Sequence, residues 1–134
     1  MRYLPLIGRV LYSSIFILAA PRHFTAEGAR HAAELGVPFA SALVPLSGAL
    51  ALAGGLSVAT GYRARFGAWA LAAFLVPVTL GMHAFWRAAD PASQHIQQAM
   101  FLKNVSMLGA ALLIAYHGAG PLSLDALLHK PSSQ

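Results

Sequence analysis

The chain has 134 residues, 57% hydrophobic and only 10% charged, whereas soluble domains carry roughly 25% charged residues, so lipid is the expected solvent. The net charge is +5, but the nine lysine and arginine residues are scattered singly between apolar runs, which argues against a nucleic-acid partner. The lack of cysteine excludes disulfides, thiolate catalysis and cysteine-ligated clusters within the chain.

Four apolar segments follow one another, and we predict transmembrane helices over residues 3–20, 38–60, 66–86 and 97–117. Each is close to the length that crosses a hydrocarbon core about 30 Å thick. Their continuous apolar character lacks the alternation of a barrel strand, and a helix satisfies its own backbone hydrogen bonds. The sequence therefore predicts an all-α, four-helix transmembrane bundle in a single domain, residues 1–134.

The first segment has a second interpretation as a cleavable signal peptide, because Arg2 precedes it and Ala19-Ala20 resembles a cleavage site. Arg9 interrupts the apolar stretch, which is not typical of a signal peptide. We therefore expect this segment to be retained as a helix.

The connecting segments carry their own signals. The sequence AEGARHAAEL, within residues 21–37, is compatible with a short interfacial helix. Asp90 is a candidate N-cap with Pro91 at the first helical position, so the fourth helix is expected to start before its apolar part. That helix is predicted to end at Gly118 or Gly120.

The distribution of positive charge predicts the orientation in the membrane. An even number of spans places four basic residues on the side of the termini and three on the other side. The first group is Arg2, Arg63, Arg65 and Lys130, and the second is Arg22, Arg30 and Arg87. The slight excess predicts that both termini of this multi-pass protein are cytoplasmic, with the lipid bilayer as its partner.

Small residues are concentrated in the second segment, at Gly48, Gly54, Gly55 and Gly61. Glycine allows the close backbone approach by which membrane helices pack together, and we interpret these positions as packing sites.

Arg9 lies on a helical stripe with Tyr12, Ser13, Phe16 and His23. This mixed polar and aromatic face suits the bundle interior, and an intramembrane arginine is often functional. The alternative is that Arg9 extends to the cytoplasmic interface and has only a structural role.

Polar side chains from four segments are predicted to meet at the non-cytoplasmic end of the bundle, and we call this set the polar rim. Its members are His23, His31, Glu34, His83, Trp86, Arg87, Asp90, His95, Gln98, Lys103 and Asn104. One interpretation is an interfacial cap that meets water and headgroups. Another is a pocket for a quinone, a sulfur species or a lipid headgroup. The third, a haem or metal site, is the weakest, because no HxxxH or HxxE pair fixes two ligands on one helix, and we assign no metal ligand.

The candidate ligand-binding residues are His83, Trp86, Lys103, Asn104, Arg9 and His23. In this hypothesis Lys103 and His83 donate hydrogen bonds to quinone oxygens, while Trp86 and Phe101 pack on the ring. No nucleophile triad, phosphate loop or carboxylate pair is present, so the sequence does not decide between an oxidoreductase subunit and a non-catalytic protein.

Three stretches of the chain resemble the DoxX family of small bacterial membrane proteins, which includes DoxD-like proteins. They are GRVLYSSIFILAA, GGLSVATGYRARFGAWALAAFLVPVTLGMHAFW and FLKNVSMLGAALLIAYHGAGPLSLD. The resemblance implies a four-helix bundle in a bacterial inner membrane, a supporting role in a redox process, and a membrane or periplasmic redox partner. It marks Arg9, His83, Trp86, Lys103 and Asn104 among others, but the chain has Ala51 where many members carry a glutamate.

Two functions are therefore carried forward. The first is binding of a quinone-like or sulfur-containing molecule in support of a redox process. The alternative is a non-catalytic scaffold or assembly partner for another membrane protein, with homo-oligomerisation as one form of assembly.

Overall fold

The structure is a computed structural model that describes residues 1–128 of the chain. These residues form six α-helices: α1 Leu4–Ala19, α2 Ala26–Glu34, α3 Ala40–Thr60, α4 Ala64–Met82, α5 Pro91–His117 and α6 Leu124–Leu128. Two short 3-10 helices, Ala20–Phe24 and Phe85–Arg87, follow α1 and α4. The stretches that contain α1, α3, α4 and α5 are long and apolar enough to cross a membrane. The predicted all-α, four-helix transmembrane bundle is confirmed.

The long helices pack in chain order, α1 on α3, α3 on α4, and α4 on α5. The core lies where α3 and α4 meet, around the fully buried side chains of Val58, Leu71 and Leu75. By contrast, α1 and α5 barely touch. The bundle therefore has a seam between its first and last long helices.

The close packing of α3 on α4 depends on Gly54 and Gly67. A Cβ atom on Gly54 would lie 2.9 Å from the side chain of Leu71 and 3.0 Å from the Gly67 carbonyl oxygen. A larger residue would push the two helices apart, so the packing role predicted for the glycines of the second span is confirmed.

The buried face of α1 is the predicted stripe. Arg9, Ser13 and Phe16 are all at least 96% buried, since their exposed fractions are 3%, 0% and 4%. Of the two interpretations of Arg9, the structure supports the inward-facing one.

The helix α4 ends at Met82, although it was predicted to continue to residue 86. The backbone leaves the helix at His83, which has φ −124° and ψ 38°. The 3-10 turn that follows brings Phe85 and Trp86 onto Phe101 of α5, with ring centroids 5.5 and 5.9 Å from the Phe101 ring. This aromatic cluster is a tertiary contact, and the apolar run in the sequence gave no sign of it.

The helix α5 begins at Pro91, six residues before the predicted span at residue 97. The N-cap prediction is confirmed, because the Asp90 carboxylate accepts a hydrogen bond from the Ser93 backbone N–H at 2.9 Å. Hydrogen bonds from Ser93 hold the pKa of Asp90 below its ordinary value, since they stabilise the charged form.

The predicted short helix after the first span is also present, as α2. The Thr25 side chain caps it by accepting a hydrogen bond from the Gly28 N–H at 3.1 Å. α2 packs on α3 and lies at the end of the bundle where α4 ends and α5 begins. We call this end the His83 end.

The segment after α5 closes the other end of the bundle, which we call the Arg9 end. Gly118 ends α5 with φ 81°, as predicted, and the chain then returns to the turn between α3 and α4. The Asp125 carboxylate accepts hydrogen bonds from the N–H groups of Arg63 and Ala64, at 2.8 and 3.2 Å. Lys130, which contributed to the orientation prediction, lies outside the described residues.

Candidate ligand-binding cavity

A cavity of about 820 Å³ opens at the His83 end, and we call it the principal cavity. Ligand sites for small molecules typically measure about 300–1,000 Å³ and are largely apolar, with a few convergent polar groups. The apolar wall includes Phe16, Phe74, Leu75, Val78 and Met107. The polar and charged residues that line it are Arg22, His23, Thr25, Glu27, Arg30, His31, Glu34, Ser47, His83, Lys103 and Asn104.

The structure brings part of the polar rim together around this cavity. The rim residues that line it are His23, His31, Glu34, His83, Lys103 and Asn104. The rim residues outside its lining are Trp86, Arg87, Asp90, His95 and Gln98. The division follows the end of α4, because the chain beyond His83 turns away from the cavity towards the start of α5.

Asn104 is the polar side chain most deeply placed in the cavity wall. It lies on α5 and is only 4% exposed. Among residues 1–128, no group forms a hydrogen bond with its amide. An amide in a buried position normally has a hydrogen-bond partner, which an occupant of the cavity would supply. Asn104 therefore offers both a donor and an acceptor to whatever occupies the cavity.

His83 is held at the mouth of the cavity by a side chain of α5. Its Nδ1 lies 2.8 Å from the Oε1 of Gln97. With the amide oxygen as acceptor, Nδ1 carries a hydrogen, and Nε2 of the neutral ring is an acceptor. Gln97 thus fixes the orientation of the imidazole.

Lys103 precedes Asn104 on α5 and also lines the cavity. Its ammonium group donates a hydrogen bond to the Met100 sulfur at 3.5 Å, which is a weak acceptor. The ammonium therefore has further donors available to an acceptor in the cavity.

His23 lies in the 3-10 turn after α1 and forms part of the cavity wall. Its ring packs against Phe74, with centroids 5.7 Å apart, and Nδ1 is 3.3 Å from the Ala19 carbonyl oxygen. The turn fits because α3 has Gly48 opposite: a Cβ atom there would collide with the His23 side chain.

Two of the six predicted ligand-binding residues lie away from the cavity. Trp86 is 53% exposed and packs on Phe85 and Phe101 instead. Arg9 lies at the opposite end of the bundle, where Nη2 donates to the Leu122 carbonyl oxygen at 2.9 Å and Nε to that of Pro5 at 3.4 Å. The structure therefore assigns Arg9 contacts that anchor the segment after α5.

Sequence reasoning missed two arginines of the cavity wall and the bridge between α1 and α5. Arg22 and Arg30 were used only to predict the orientation in the membrane, yet both line the cavity. The Tyr12 hydroxyl donates a hydrogen bond to the Met107 carbonyl oxygen at 3.1 Å. A backbone acceptor leaves no signal in the sequence, so only the position of Tyr12 on the buried stripe pointed to this contact.

Among residues 1–128, no three histidine, aspartate or glutamate side chains are placed to share a metal ion.

The SURF4 family profile matches residues 40–130. The chain is also 30% identical over 127 residues to the inner membrane protein YqjF of Escherichia coli strain K12, covering 93% of this chain and 92% of the relative. No solved structure matches the chain. The assignment to the DoxX family was wrong, because the family profile that matches the chain is that of SURF4. The glycine pairs and short apolar motifs that suggested DoxX recur in many small membrane bundles. The chain is a multi-pass inner membrane protein and belongs to the SURF4 family.

Proposed function

We propose that this protein binds a small amphipathic molecule with a quinone-like ring in the principal cavity. The observation that carries the proposal is Asn104, a side chain 4% exposed whose amide has no hydrogen-bond partner within residues 1–128 and which lines the cavity. A ligand with hydrogen-bonding oxygens would satisfy that amide.

The donors and the walls suit such a ring. Asn104 and Lys103 supply N–H groups to carbonyl oxygens, and the oriented His83 can take part through Nε2 when it is protonated. Phe16 and Phe74 supply the aromatic wall, in place of the Trp86 and Phe101 pair expected from the sequence. A small sulfur oxyanion would leave this apolar wall without a partner, so the cavity favours the quinone-like ligand.

The proposal concerns binding. A redox role was suggested by the family resemblance that the comparisons overturned, and it would require electron transfer between the bound quinone and a partner protein. We also propose that the chain forms a single domain and that both of its termini lie in the cytoplasm.

The scaffold alternative needs an exposed helix face for a partner, and the second-span glycines do not provide one. In the structure, Gly48, Gly54 and Gly55 contact side chains of the same chain. Enlarging these glycines would therefore disturb the bundle itself, and no specific contact within residues 1–128 favours the alternative.

The test is quinone binding by the purified protein in lipid nanodiscs, with a tail-less benzoquinone as the probe. We expect Asn104→Leu and Lys103→Met each to weaken binding about tenfold, which corresponds to roughly 1.4 kcal/mol. His95→Ala is the matched control, because His95 lies on the same helix outside the cavity lining.

Binding by wild type that survives both cavity substitutions would contradict the proposed site. A wild-type protein that binds the quinone no better than empty nanodiscs would contradict the proposed function itself.

A further inference from the structure

A second, smaller cavity lies on the seam between α1 and α5. Its volume is about 330 Å³. Pro5 and Gly8 line it from α1, and Leu113 and Ile114 line it from α5. Its wall is almost entirely apolar, and we call it the seam groove.

The seam groove and the principal cavity are neighbours along the same two helices. On α1, Phe16 lines the principal cavity and Tyr12, one turn away, lines the groove. On α5, Met107 lines the principal cavity and Ala110 lines the groove, about 4.5 Å further along the helix.

The contact between Tyr12 and Met107 lies between the two spaces. The Tyr12 hydroxyl reaches across the seam to the Met107 carbonyl oxygen, 3.1 Å away, and its ring rests on Phe16 with centroids 5.3 Å apart. Because α1 and α5 barely touch elsewhere, the Tyr12 side chain is the partition between cavity and groove.

We propose that the two spaces form one binding channel for an amphiphile that carries a single apolar tail. The ligand's polar ring lies against Asn104 in the principal cavity, and its isoprenoid or acyl tail passes Tyr12 into the seam groove. This inference rests on the proposed function and adds the class of ligand. The helix rise gives about 15 Å between Asn104 and Ile114, the length over which the tail would extend.

The chemistry of the two spaces supports this division. The polar residues of the principal cavity include the unpartnered Asn104 amide and Lys103, while the groove offers mainly aliphatic carbon to its occupant. Arg9 and His117 also border the groove. Nη2 and Nε of Arg9 donate to the Leu122 and Pro5 carbonyl oxygens, whereas Nη1 has no hydrogen-bond partner among the described residues. An apolar tail is the occupant that matches the aliphatic part of the wall, because it gains burial and brings no polar group of its own into the groove.

The seam offers two glycines that make a matched test. Gly8 lines the groove, and a Cβ atom there would meet nothing within 4 Å. Gly109 is equally open and lines neither cavity. Both lie within long helices, so Gly8→Leu and Gly109→Leu change helix propensity alike, but only Gly8→Leu fills the groove.

The experiment compares two probes in nanodiscs: a tail-less benzoquinone, and the same ring with a tail of two isoprene units. We expect wild type and Gly109→Leu to bind the tailed probe at least about tenfold more tightly than the tail-less one. Gly8→Leu should bind both equally and keep wild-type affinity for the tail-less probe. Membrane partitioning of the tail is the same for every variant and cancels in this comparison.

Several results would overturn the inference. One is a wild type that binds both probes equally, and another is a folded Gly8→Leu variant that keeps the full advantage of the tail. If Gly8→Leu does not fold, Ala110→Met fills the groove from α5 and must abolish that advantage instead. If neither probe binds wild type, the proposed function falls together with this inference, whereas tail-independent binding overturns the inference alone.

The role of Tyr12 has a separate readout in the association rate. Tyr12→Phe keeps the ring and removes the hydroxyl that bridges to Met107. We expect the tailed probe to associate several-fold faster with this variant, with no change for the tail-less probe. Equal rates for wild type and Tyr12→Phe would overturn the assignment of Tyr12 as the partition.

Discussion

At the scale of single residues, two buried polar side chains of the bundle have opposite roles. Arg9 is 3% exposed, and its Nη2 and Nε donate to backbone carbonyl oxygens, whereas Nη1 has no hydrogen-bond partner among the described residues. Asn104 is 4% exposed and offers its amide to the principal cavity. Burial alone does not distinguish an anchoring residue from a binding residue, whereas the hydrogen-bond inventory does.

Arg9 is expected to stabilise the segment after α5. Arg9→Met removes the hydrogen bond to the Leu122 carbonyl oxygen and should lower the free energy of unfolding by about 1.5–3 kcal/mol, the usual range for bonds to charged groups. The measurement is thermal unfolding in detergent, together with protease cleavage after residue 118, which should become faster.

Arg2→Met is the control for this change. Arg2 is exposed and contacts only its neighbour Tyr3 among the described residues, so its loss should change neither readout. If Arg9→Met behaves like Arg2→Met, Arg9 does not anchor the segment.

At the scale of helices, the strength of the α3–α4 contact depends on glycines and the weakness of the α1–α5 contact creates the seam. Gly54 and Gly67 bring the α3 and α4 backbones close, so these helices form a rigid pair. α1 meets α5 mainly through Tyr12 and Met107. We expect motion of the bundle to occur at the seam, since it has the fewest packed contacts.

Two Gly→Ala substitutions test this distribution of packing. A Cβ atom on Gly67 would collide with the Ser57 side chain and lie 3.0 Å from the Gly54 carbonyl oxygen, so Gly67→Ala should cost about 1–3 kcal/mol. Gly109→Ala meets nothing within 4 Å and should be neutral or stabilise α5 by up to about 1 kcal/mol. Thermal melts in detergent compare the two, and equal melting temperatures would contradict the packing account.

At the scale of the whole molecule, the two ends of the bundle differ in what closes them. The His83 end holds the principal cavity beneath α2 and the 3-10 helix Ala20–Phe24. The Arg9 end is covered by the segment after Gly118, held by Asp125 and Arg9. The same topology predicts which residues share a side of the membrane.

Single-cysteine labelling tests that topology cleanly because the chain has no native cysteine. We expect His31→Cys and His95→Cys to react with a membrane-impermeant maleimide added to spheroplasts. Arg63→Cys should react only after permeabilisation, since the proposed orientation places it in the cytoplasm. The reverse pattern would invert the orientation, and labelling of residues 31 and 95 from opposite sides would contradict the four-span fold.

Much of the fold could be predicted because lipid imposes strong rules on a sequence. Apolar length identified the four spans, and the Asp90-Pro91 pair identified the true start of α5. The end of α4 could not be predicted, because Phe85 and Trp86 stay apolar while their rings turn onto Phe101.

Part of the candidate site could also be predicted, because the number of membrane spans determines which residues share an end of the bundle. His83, Lys103, Asn104 and His23 converge as four-span topology requires. Trp86 and Arg9 do not, since the first follows the turn after α4 and the second is engaged at the other end of the bundle.

The sequence by itself determined that the chain crosses lipid in four helices and which polar residues lie near each end, because hydrophobic length and helix periodicity are local properties. Only the tertiary structure decided that the Asn104 amide has no hydrogen-bond partner in the described part of the chain and that α1 and α5 stand apart with Tyr12 between them. Those features depend on how whole helices pack and on backbone acceptors such as the Met107 carbonyl, which every residue possesses and no sequence pattern distinguishes.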